Sequence, residues 1–375
     1  MWIMRNYHNT LLLKYLSRGE FMTNDYRSQK NAENKIKIKN MLKNLPEFVS
    51  EWDRSIAHSK ETSTRLGYLT DVKQFMEWLS SKNSTISSTM AITLDILDSL
   101  TVDDFNEYIE DAGVFYRYSH KTGKKEIHNT SKASLKRKLA AIRSLYHYLI
   151  QSEKIVHNRV IYVELPKTTR KTIIRMEPEE TAEFLDNVEY GTHLTHAAQK
   201  KHEKYARRDL AILTLLLGTG IRVSECVGIN LSDIDYNQDR IHIIRKGANE
   251  DYVYFGDEVR DSLYDYIEKE RKYQNAKEGH ENALFLSNRN SRITVRSIQI
   301  LVKKYSNNVV YGKKLSPHSM RKTYGTELYN ETHDIYAVSR ALAHKDIKTT
   351  QAHYVEKKDN RDIRNTVKLR EKSNP

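Results

Sequence analysis

The sequence has little of what stabilises or interrupts many extracellular and β-rich proteins. Its 375 residues include one cysteine, Cys226, which excludes an intramolecular disulfide and a cysteine-based zinc module. We therefore expect a reducing, cytoplasmic compartment. Only 13 glycines and 5 prolines interrupt the backbone, a composition that favours a helix-rich chain over a many-turned sandwich or barrel. The longest apolar stretch, residues 211–217, is too short to span a bilayer, so we expect no membrane association.

Positive charge, by contrast, is abundant. Lysine and arginine number 62 against 49 aspartates and glutamates, for a formal net charge of +13. Such an excess favours a polyanionic partner, most simply nucleic acid, although a basic surface without a partner would have the same composition. A length of 375 residues predicts two domains at about 150 residues each.

The predicted domain boundaries follow the apolar and basic patterns. Residues 1–45 are interpreted as an N-terminal extension, 46–165 as a helical domain, 166–176 as a basic linker and 177–375 as a second domain with a charged tail. Within the extension, Arg18-Gly19-Glu20 precedes Met22, and purine-rich codons for these residues can form a bacterial ribosome-binding sequence. We therefore hypothesise that translation begins at Met22 and that residues 1–21 are not native.

A predicted helix from Ser131 to Ser152 combines an apolar face with a cluster of basic residues and has no acid before Ile150. Its polar side suits contacts with DNA phosphates, although an ordinary solvated helix face is the alternative. The linker, which is also basic, could follow a phosphate backbone. The candidate DNA-binding residues of the two segments are Lys132, Lys136, Arg137, Lys138, Arg143, Lys167, Arg170 and Lys171.

Two motifs of the second domain place arginines next to helix ends. In Gly218-Thr-Gly-Ile-Arg222-Val-Ser-Glu225, two glycines end an apolar helix and bring Arg222 to the start of the next one. In Ser316-Pro-His318-Ser-Met-Arg321, the serine is a good N-cap and the proline suits the first helical position. His318 and Arg321 then lie three residues apart on one helix face. Each motif alone is also compatible with ordinary surface residues.

Two further groups lie in less regular positions. Three short strands are predicted near residues 234–236, 240–244 and 252–255, and Lys246 occupies the turn between the last two. Farther on, His344 ends an apolar helix and Tyr354 is the last tyrosine of the chain.

In this order, these residues resemble the tyrosine recombinase family, in particular its Xer-type members. The resemblance implies a mainly α fold with a small three-stranded antiparallel sheet, in which a helical SAM-like core-binding domain and a catalytic domain form a C-shaped DNA clamp. It also implies catalytic roles for Arg222, Lys246, His318, Arg321, His344 and Tyr354, with Glu225 supporting them.

The chemistry implied by the resemblance needs no metal, ATP or cofactor. Arg222 and Arg321 would clamp a scissile phosphate, Tyr354 would attack it to form a 3′-phosphotyrosyl link, and Lys246 would protonate the 5′-oxygen. His318 would act as an acid or base, and His344 would contact the phosphate or orient its neighbours. The implied partner is duplex DNA with an inverted-repeat recombination site. A homotetramer, or an assembly with a heterologous recombinase, would exchange strands through a Holliday junction.

The chain departs from the family pattern in three places. Tyr354 lies ten positions after His344 instead of nine, and His353 occupies the usual tyrosine position. Because no later tyrosine exists, Tyr354 is the predicted nucleophile. Ala343 replaces a frequent glycine, and Lys322 replaces a frequent histidine, with no catalytic group lost.

The sequence leaves several alternatives open. A type IB topoisomerase uses a similar constellation, and a catalytically silent DNA-binding protein is compatible with the same fold. Resolution of chromosome dimers and movement of a genetic element are both compatible functions, and the tail from Val355 could dock on a neighbouring protomer or be disordered. Three histidines, His193, His196 and His202, flank a basic segment predicted as a polar loop, where we expect no metal site.

Overall fold

A computed structural model describes residues 26–118, 125–165, 174–245, 249–307, 309–310 and 312–343 of the protein. These residues form two compact units, the first ending with residue 165 and the second beginning with residue 174. The chain is mostly helical, as the sequence predicts. None of the helices in the described part of the chain is long and apolar enough to cross a membrane.

The N-terminal unit is a helical bundle whose core follows the predicted apolar faces. Leu69, Phe75, Ile142 and Tyr146 are fully buried in a single cluster with Trp52. Local sequence also sets the helix ends, because the side chains of Thr101 and Ser131 accept hydrogen bonds from backbone N–H groups three residues later. The helices are α1 (Tyr26–Leu42), α2 (Glu47–Ser55), α3 (Thr62–Lys82), α4 (Leu94–Ser99), α5 (Val102–Asp111) and α6 (Lys132–Gln151), with 3₁₀ turns at Thr89–Ala91 and Arg159–Tyr162.

Helix α1 lies in the segment that the sequence assigned to an N-terminal extension. It packs on α3, Ile38 is buried in the core of the unit, and Thr62 donates a hydrogen bond to Asn31 at 2.7 Å. The compact unit therefore begins before residue 46. The apolar pattern did not predict this earlier start because α1 is highly polar and buries few apolar side chains.

A two-stranded hairpin between α5 and α6 was not predicted. Strands β1 (Val114–Tyr118) and β2 (Lys125–Asn129) are antiparallel, with Val114 opposite Asn129 and Tyr116 opposite Ile127. The missed signal is the Val-Phe-Tyr-Arg-Tyr run, since β-branched and aromatic residues favour strands.

In the C-terminal unit, helices surround the long, mostly buried end of α8. This helix contacts α7, α10 and α12, and the apolar stretch from Ala211 forms its core-facing part. The helices are α7 (Pro178–Tyr190), α8 (His196–Thr219), α9 (Val223–Gly228), α10 (Asp257–Lys269), α11 (Val295–Ser306), α12 (Pro317–Thr332) and α13 (Ile335–Ala341), with 3₁₀ turns at Leu231–Asp233 and Arg271–Tyr273.

The predicted three-stranded antiparallel sheet is confirmed. Its strands lie in the order β3-β4-β5, and Ile241 of the central strand pairs with both Ile234 and Val253. These three side chains are buried and attach one face of the sheet to the helices. The strands are β3 (Ile234–Asp235), β4 (Arg240–Ile244) and β5 (Glu250–Tyr254).

The predicted polar loop between Asn187 and Arg207 is wrong, because α7 continues to Tyr190 and α8 already begins at His196. The helix persists through this basic stretch because His202 is buried and bonded by both ring nitrogens, to the Tyr305 hydroxyl at 2.9 Å and the Glu189 carbonyl at 3.1 Å. Burial lowers the pKa of His202. Within the described ranges, no cluster of three potential metal-ligating side chains occurs.

Candidate active site

A glycine turn between α8 and α9 brings Arg222 into the site. Helix α8 ends at Thr219, and Gly220 has φ = 61°, in the left-handed region that favours glycine. A Cβ at Gly220 would also overlap the ring of Tyr324 on α12. Two independent constraints therefore require glycine here, and the tight turn places Arg222 at the N-cap of α9.

Glu225 holds Arg222 from two sides. The Arg222 guanidinium donates to one carboxylate oxygen of Glu225 at 2.9 Å, and the Arg222 backbone N–H donates to the other at 2.8 Å. The Glu225 side chain is only 4% exposed, whereas that of Arg222 is 35% exposed. The carboxylate is therefore a buried support, and the guanidinium remains accessible to a ligand.

Helix α12 contributes His318 and Arg321. Ser316 caps the helix by accepting from the Ser319 N–H at 3.3 Å, and Pro317 occupies the first helical position, as predicted. His318 is exposed, whereas Arg321 is buried. One Arg321 nitrogen donates to the Gly220 carbonyl at 2.6 Å, which joins α12 to the glycine turn.

The segment after α13 contacts both Arg222 and Arg321. Arg321 donates to the carbonyl of Leu342, and Arg222 donates to the carbonyl of Ala343 at 3.4 Å. Leu342 is anchored because it is buried with Val338 and packed against Tyr324. Consecutive carbonyls thus receive hydrogen bonds from both arginines, immediately before His344 in the sequence.

The backbone conformation at Ala343 explains why glycine is frequent at this position in the tyrosine recombinases that the sequence resembles. Its φ is 43°, in the left-handed region where a Cβ is disfavoured. Its N–H donates to the Arg340 carbonyl at 2.9 Å and ends the preceding helix.

Several predicted site residues lie outside the described residues: Lys167, Arg170, Lys171, Lys246, His344, His353 and Tyr354, together with the tail from Val355. Next to Lys246, however, Arg245 is described and was missed by the sequence interpretation. It is buried and continues the buried face of β4 formed by Ile241 and Ile243. The sequence did contain a signal for this residue: two positions after Ile243, Arg245 falls on the apolar side of the alternating pattern of β4.

Two other ionisable groups line the core beneath the arginines. Burial raises the pKa of the Cys226 thiol in α9, so this cysteine is an inert core residue. Burial also raises the pKa of Tyr324, against the opposing effect of the Arg321 charge. The Tyr324 phenol therefore remains protonated at neutral pH.

The basic residues of α6 fall into two groups. Arg137 donates to Asp71 and to the Gly67 carbonyl, Lys138 donates to Gln74, and Arg143 donates to the carbonyls of residues 160, 161 and 163. Asp71 is buried, and burial raises its pKa against the opposing effect of Arg137 and Lys138. Lys132, Lys136 and Arg137 are all exposed on the surface of the unit, but Arg137 is held by its contacts with Asp71 and Gly67.

Comparison with known proteins identifies the family. Residues 175–361 match the model of the phage integrase family. The tyrosine recombinase XerS of Streptococcus uberis is 31% identical over 332 residues, covering 82% of this chain and 90% of the relative. This chain belongs to the tyrosine recombinase family. XerS of Streptococcus pyogenes serotype M5 matches with the same identity and coverage.

Solved tyrosine recombinases share this fold at low sequence identity. The XerH site-specific recombinase bound to difH substrate is 17% identical with a TM-score of 0.55, over 84% of this chain and 82% of that one. The Tn1549 transposon integrase in complex with circular intermediate DNA is 20% identical with a TM-score of 0.58, over 84% and 97%. The recombinase relatives favour site-specific recombination over the topoisomerase-like alternative.

Proposed function

We propose that this recombinase cuts and rejoins duplex DNA through a 3′-phosphotyrosyl intermediate and a Holliday junction. The observation that carries the proposal is the meeting of Arg222 and Arg321 on the consecutive carbonyls of Leu342 and Ala343. Arg222, Arg321 and the Leu342–Ala343 backbone, which are far apart in the sequence, therefore lie next to one another. The segment that leads to His344 and Tyr354 starts from this region.

The two arginines suit the electrostatic demands of phosphodiester cleavage. A phosphodiester anion repels nucleophiles, and negative charge builds on its nonbridging oxygens as the nucleophile approaches. Guanidinium groups held in advance stabilise that charge without reorganising during the reaction. Arg321 is held by the Gly220 carbonyl and Arg222 by Glu225, so both guanidiniums are positioned before DNA binds.

The remaining groups supply the nucleophile and the proton transfers. The Tyr354 oxygen attacks phosphorus, the bond to the 5′-oxygen breaks, and Lys246 protonates that leaving oxygen. His318 is the acid or base partner, consistent with its exposed position one helical turn before Arg321 on α12. His344 contacts the phosphate. Charge neutralisation by two arginines makes the reaction independent of metal and ATP.

Both compact units are assigned to DNA binding, the first as the core-binding domain and the second as the catalytic domain. XerH and the Tn1549 integrase, which share the fold, are described in complexes with DNA, and this supports the assignment. The expected substrate is a duplex with inverted repeats bound by four protomers, or by two protomers with a related recombinase. Such an assembly acts in the cytoplasm on chromosome dimers or on a mobile element.

A nicked suicide substrate tests the proposed reaction. The full chain is mixed with candidate inverted-repeat duplexes that lose a short fragment after cleavage, in EDTA and without ATP. We expect a covalent protein–DNA adduct that survives denaturing electrophoresis and carries the DNA 3′-phosphate. Specific binding to such a duplex without any adduct would favour the catalytically silent protein, and relaxation of supercoils without strand exchange would favour the topoisomerase.

The contacts of α6 predict which of its basic residues bind DNA. Replacing Lys132 and Lys136 together with glutamine should lower the slope of log affinity against log salt by about 2, since each phosphate contact contributes about 0.9. Binding is measured by fluorescence anisotropy from low to high salt. The matched control replaces Lys35 and Lys39, which are exposed at the same four-residue spacing on α1, and leaves the slope unchanged. An equal change in both double variants would contradict a specific role for α6.

A further inference from the structure

Arg245 lies where the sheet meets the candidate active site. It follows β4 directly, and its backbone N–H donates to the Asn249 carbonyl at 2.8 Å. Its side chain is buried and points along the same face as Ile243. There one guanidinium nitrogen lies 3.8 Å from Glu225 Oε2, while Nε donates to Asp251 at 2.5 Å.

Glu225 therefore lies between two guanidinium groups. Its Oε1 accepts from the Arg222 side chain, and its Oε2 faces the Arg222 backbone N–H and the Arg245 guanidinium. A buried carboxylate is stable only when its charge is compensated and its lone pairs are engaged. Arg245 supplies the second compensating charge on the side opposite the Arg222 guanidinium.

The position of Glu225 between two cations affects the net charge around Arg222. Because the Glu225 carboxylate interacts with both Arg222 and Arg245, it does not fully neutralise Arg222, which keeps positive charge for binding an anion. Asp251, which also pairs with Arg245, is 46% exposed, so solvent screens its charge. Without Arg245, the buried carboxylate would attract the Arg222 guanidinium alone and would lose the second positive charge that faces Oε2.

We propose that Arg245 is a positioning residue for DNA cleavage: through Glu225 it holds the Arg222 guanidinium in the orientation that clamps the scissile phosphate. The inference rests on the proposed function, because it assigns Arg222 to that phosphate. It adds a residue from the sheet to a site otherwise built from α9, α12 and the segment after α13.

The test compares an ordinary suicide substrate with one that has a methylphosphonate at the scissile position. The methyl group replaces a nonbridging oxygen and removes the negative charge that Arg222 compensates. Arg245→Met should slow adduct formation on the ordinary substrate by about 10- to 100-fold, the cost of misplacing a reacting group by about 1 Å. On the neutral substrate, where clamping of charge is no longer required, its defect should be less than about threefold.

A second variant and a matched control complete the experiment. Arg245→Lys retains a positive charge but lacks the planar fork that reaches both Glu225 and Asp251, so an intermediate defect of about 3- to 10-fold, again confined to the charged substrate, is expected. The matched control, Arg240→Met, removes an arginine within β4 that pairs with Asp235 at 3.1 Å, and this variant should cleave both substrates at the wild-type rate. Thermal unfolding and DNA affinity are measured for every variant.

The outcomes separate this inference from the proposed function. Wild-type protein that forms no adduct on the ordinary substrate would overturn both. If the wild type cleaves, undiminished cleavage by both Arg245 variants would overturn only the role of Arg245. A defect of equal size on the charged and neutral substrates, in whichever Arg245 variant remains folded, would assign Arg245 to the stability of the sheet instead.

Discussion

We expect that replacing Tyr354 with phenylalanine abolishes the covalent adduct proposed for the wild-type protein on a nicked suicide substrate. The substitution removes one oxygen atom and leaves the ring, so DNA affinity should remain at the wild-type value while the proposed nucleophile is lost. No other tyrosine follows in the sequence, and the segment that leads to Tyr354 begins at the carbonyls held by Arg222 and Arg321. Denaturing electrophoresis of labelled DNA measures the adduct, and a gel shift measures binding.

Two variants make this result specific. Tyr336→Phe removes a hydroxyl from an exposed tyrosine on α13 and should form adduct at the wild-type rate. His353→Ala tests the residue in the position that usually holds the tyrosine, and it should retain the adduct because imidazole loss leaves the Tyr354 phenol intact. Adduct formation by Tyr354→Phe at the wild-type level would place the nucleophile elsewhere.

We expect Arg321→Lys to lower the single-turnover cleavage rate by about 10²- to 10³-fold, the effect of removing one preorganised charge-stabilising donor from an active site. Lysine keeps the charge but lacks the rigid fork with which arginine bonds the Gly220 and Leu342 carbonyls together. Loss of a buried partner for one carbonyl costs about 1–3 kcal/mol of stability, so the variant also unfolds at a lower temperature. Rapid-quench cleavage and thermal unfolding measure the two effects.

Arg271→Lys separates these two effects because Arg271 has a similar structural role outside the site. Both arginines are 4% exposed, and Arg271 donates to the backbone carbonyls of Glu281 and Ala283. The Arg271 variant should lose comparable stability and retain cleavage below its unfolding temperature. Equal losses of cleavage in the two variants would show that Arg321 acts only through folding.

Much of the site was predictable because its motifs are local. Gly220 ends α8 as predicted, although Gly218, the other glycine of that motif, lies inside the helix. Like Gly220, the Ser316-Pro317 cap of α12 and the alternating residues of β4 set a backbone path within a few residues. Helix periodicity likewise predicted the buried face of α6. The polar helix α1, the β1–β2 hairpin and the start of α8 escaped prediction because packing against distant residues stabilises them more than their own sequence does.

Charge gives the clearest contrast between sequence and structure. Counting lysines and arginines could not distinguish residues that bind partners from residues that hold the fold. In α6, Lys136 and Arg137 are both exposed, yet Arg137, like Arg143, donates hydrogen bonds to backbone carbonyls of its own unit. The same ambiguity hid Arg245, whose guanidinium faces Glu225 across a separation of 20 positions in the chain.

Local sequence is sufficient to define the residues available for chemistry, the helical character of the chain and the ends of its main helices, since these depend on neighbours within a few positions. Which of these residues meet depends on tertiary packing. Arg321 reaches Gly220 across 101 positions, and Arg222 reaches Ala343 across 121. Such contacts are set by how α8, α12 and α13 pack together, because burial forces each polar group to find a partner and no local pattern specifies which one.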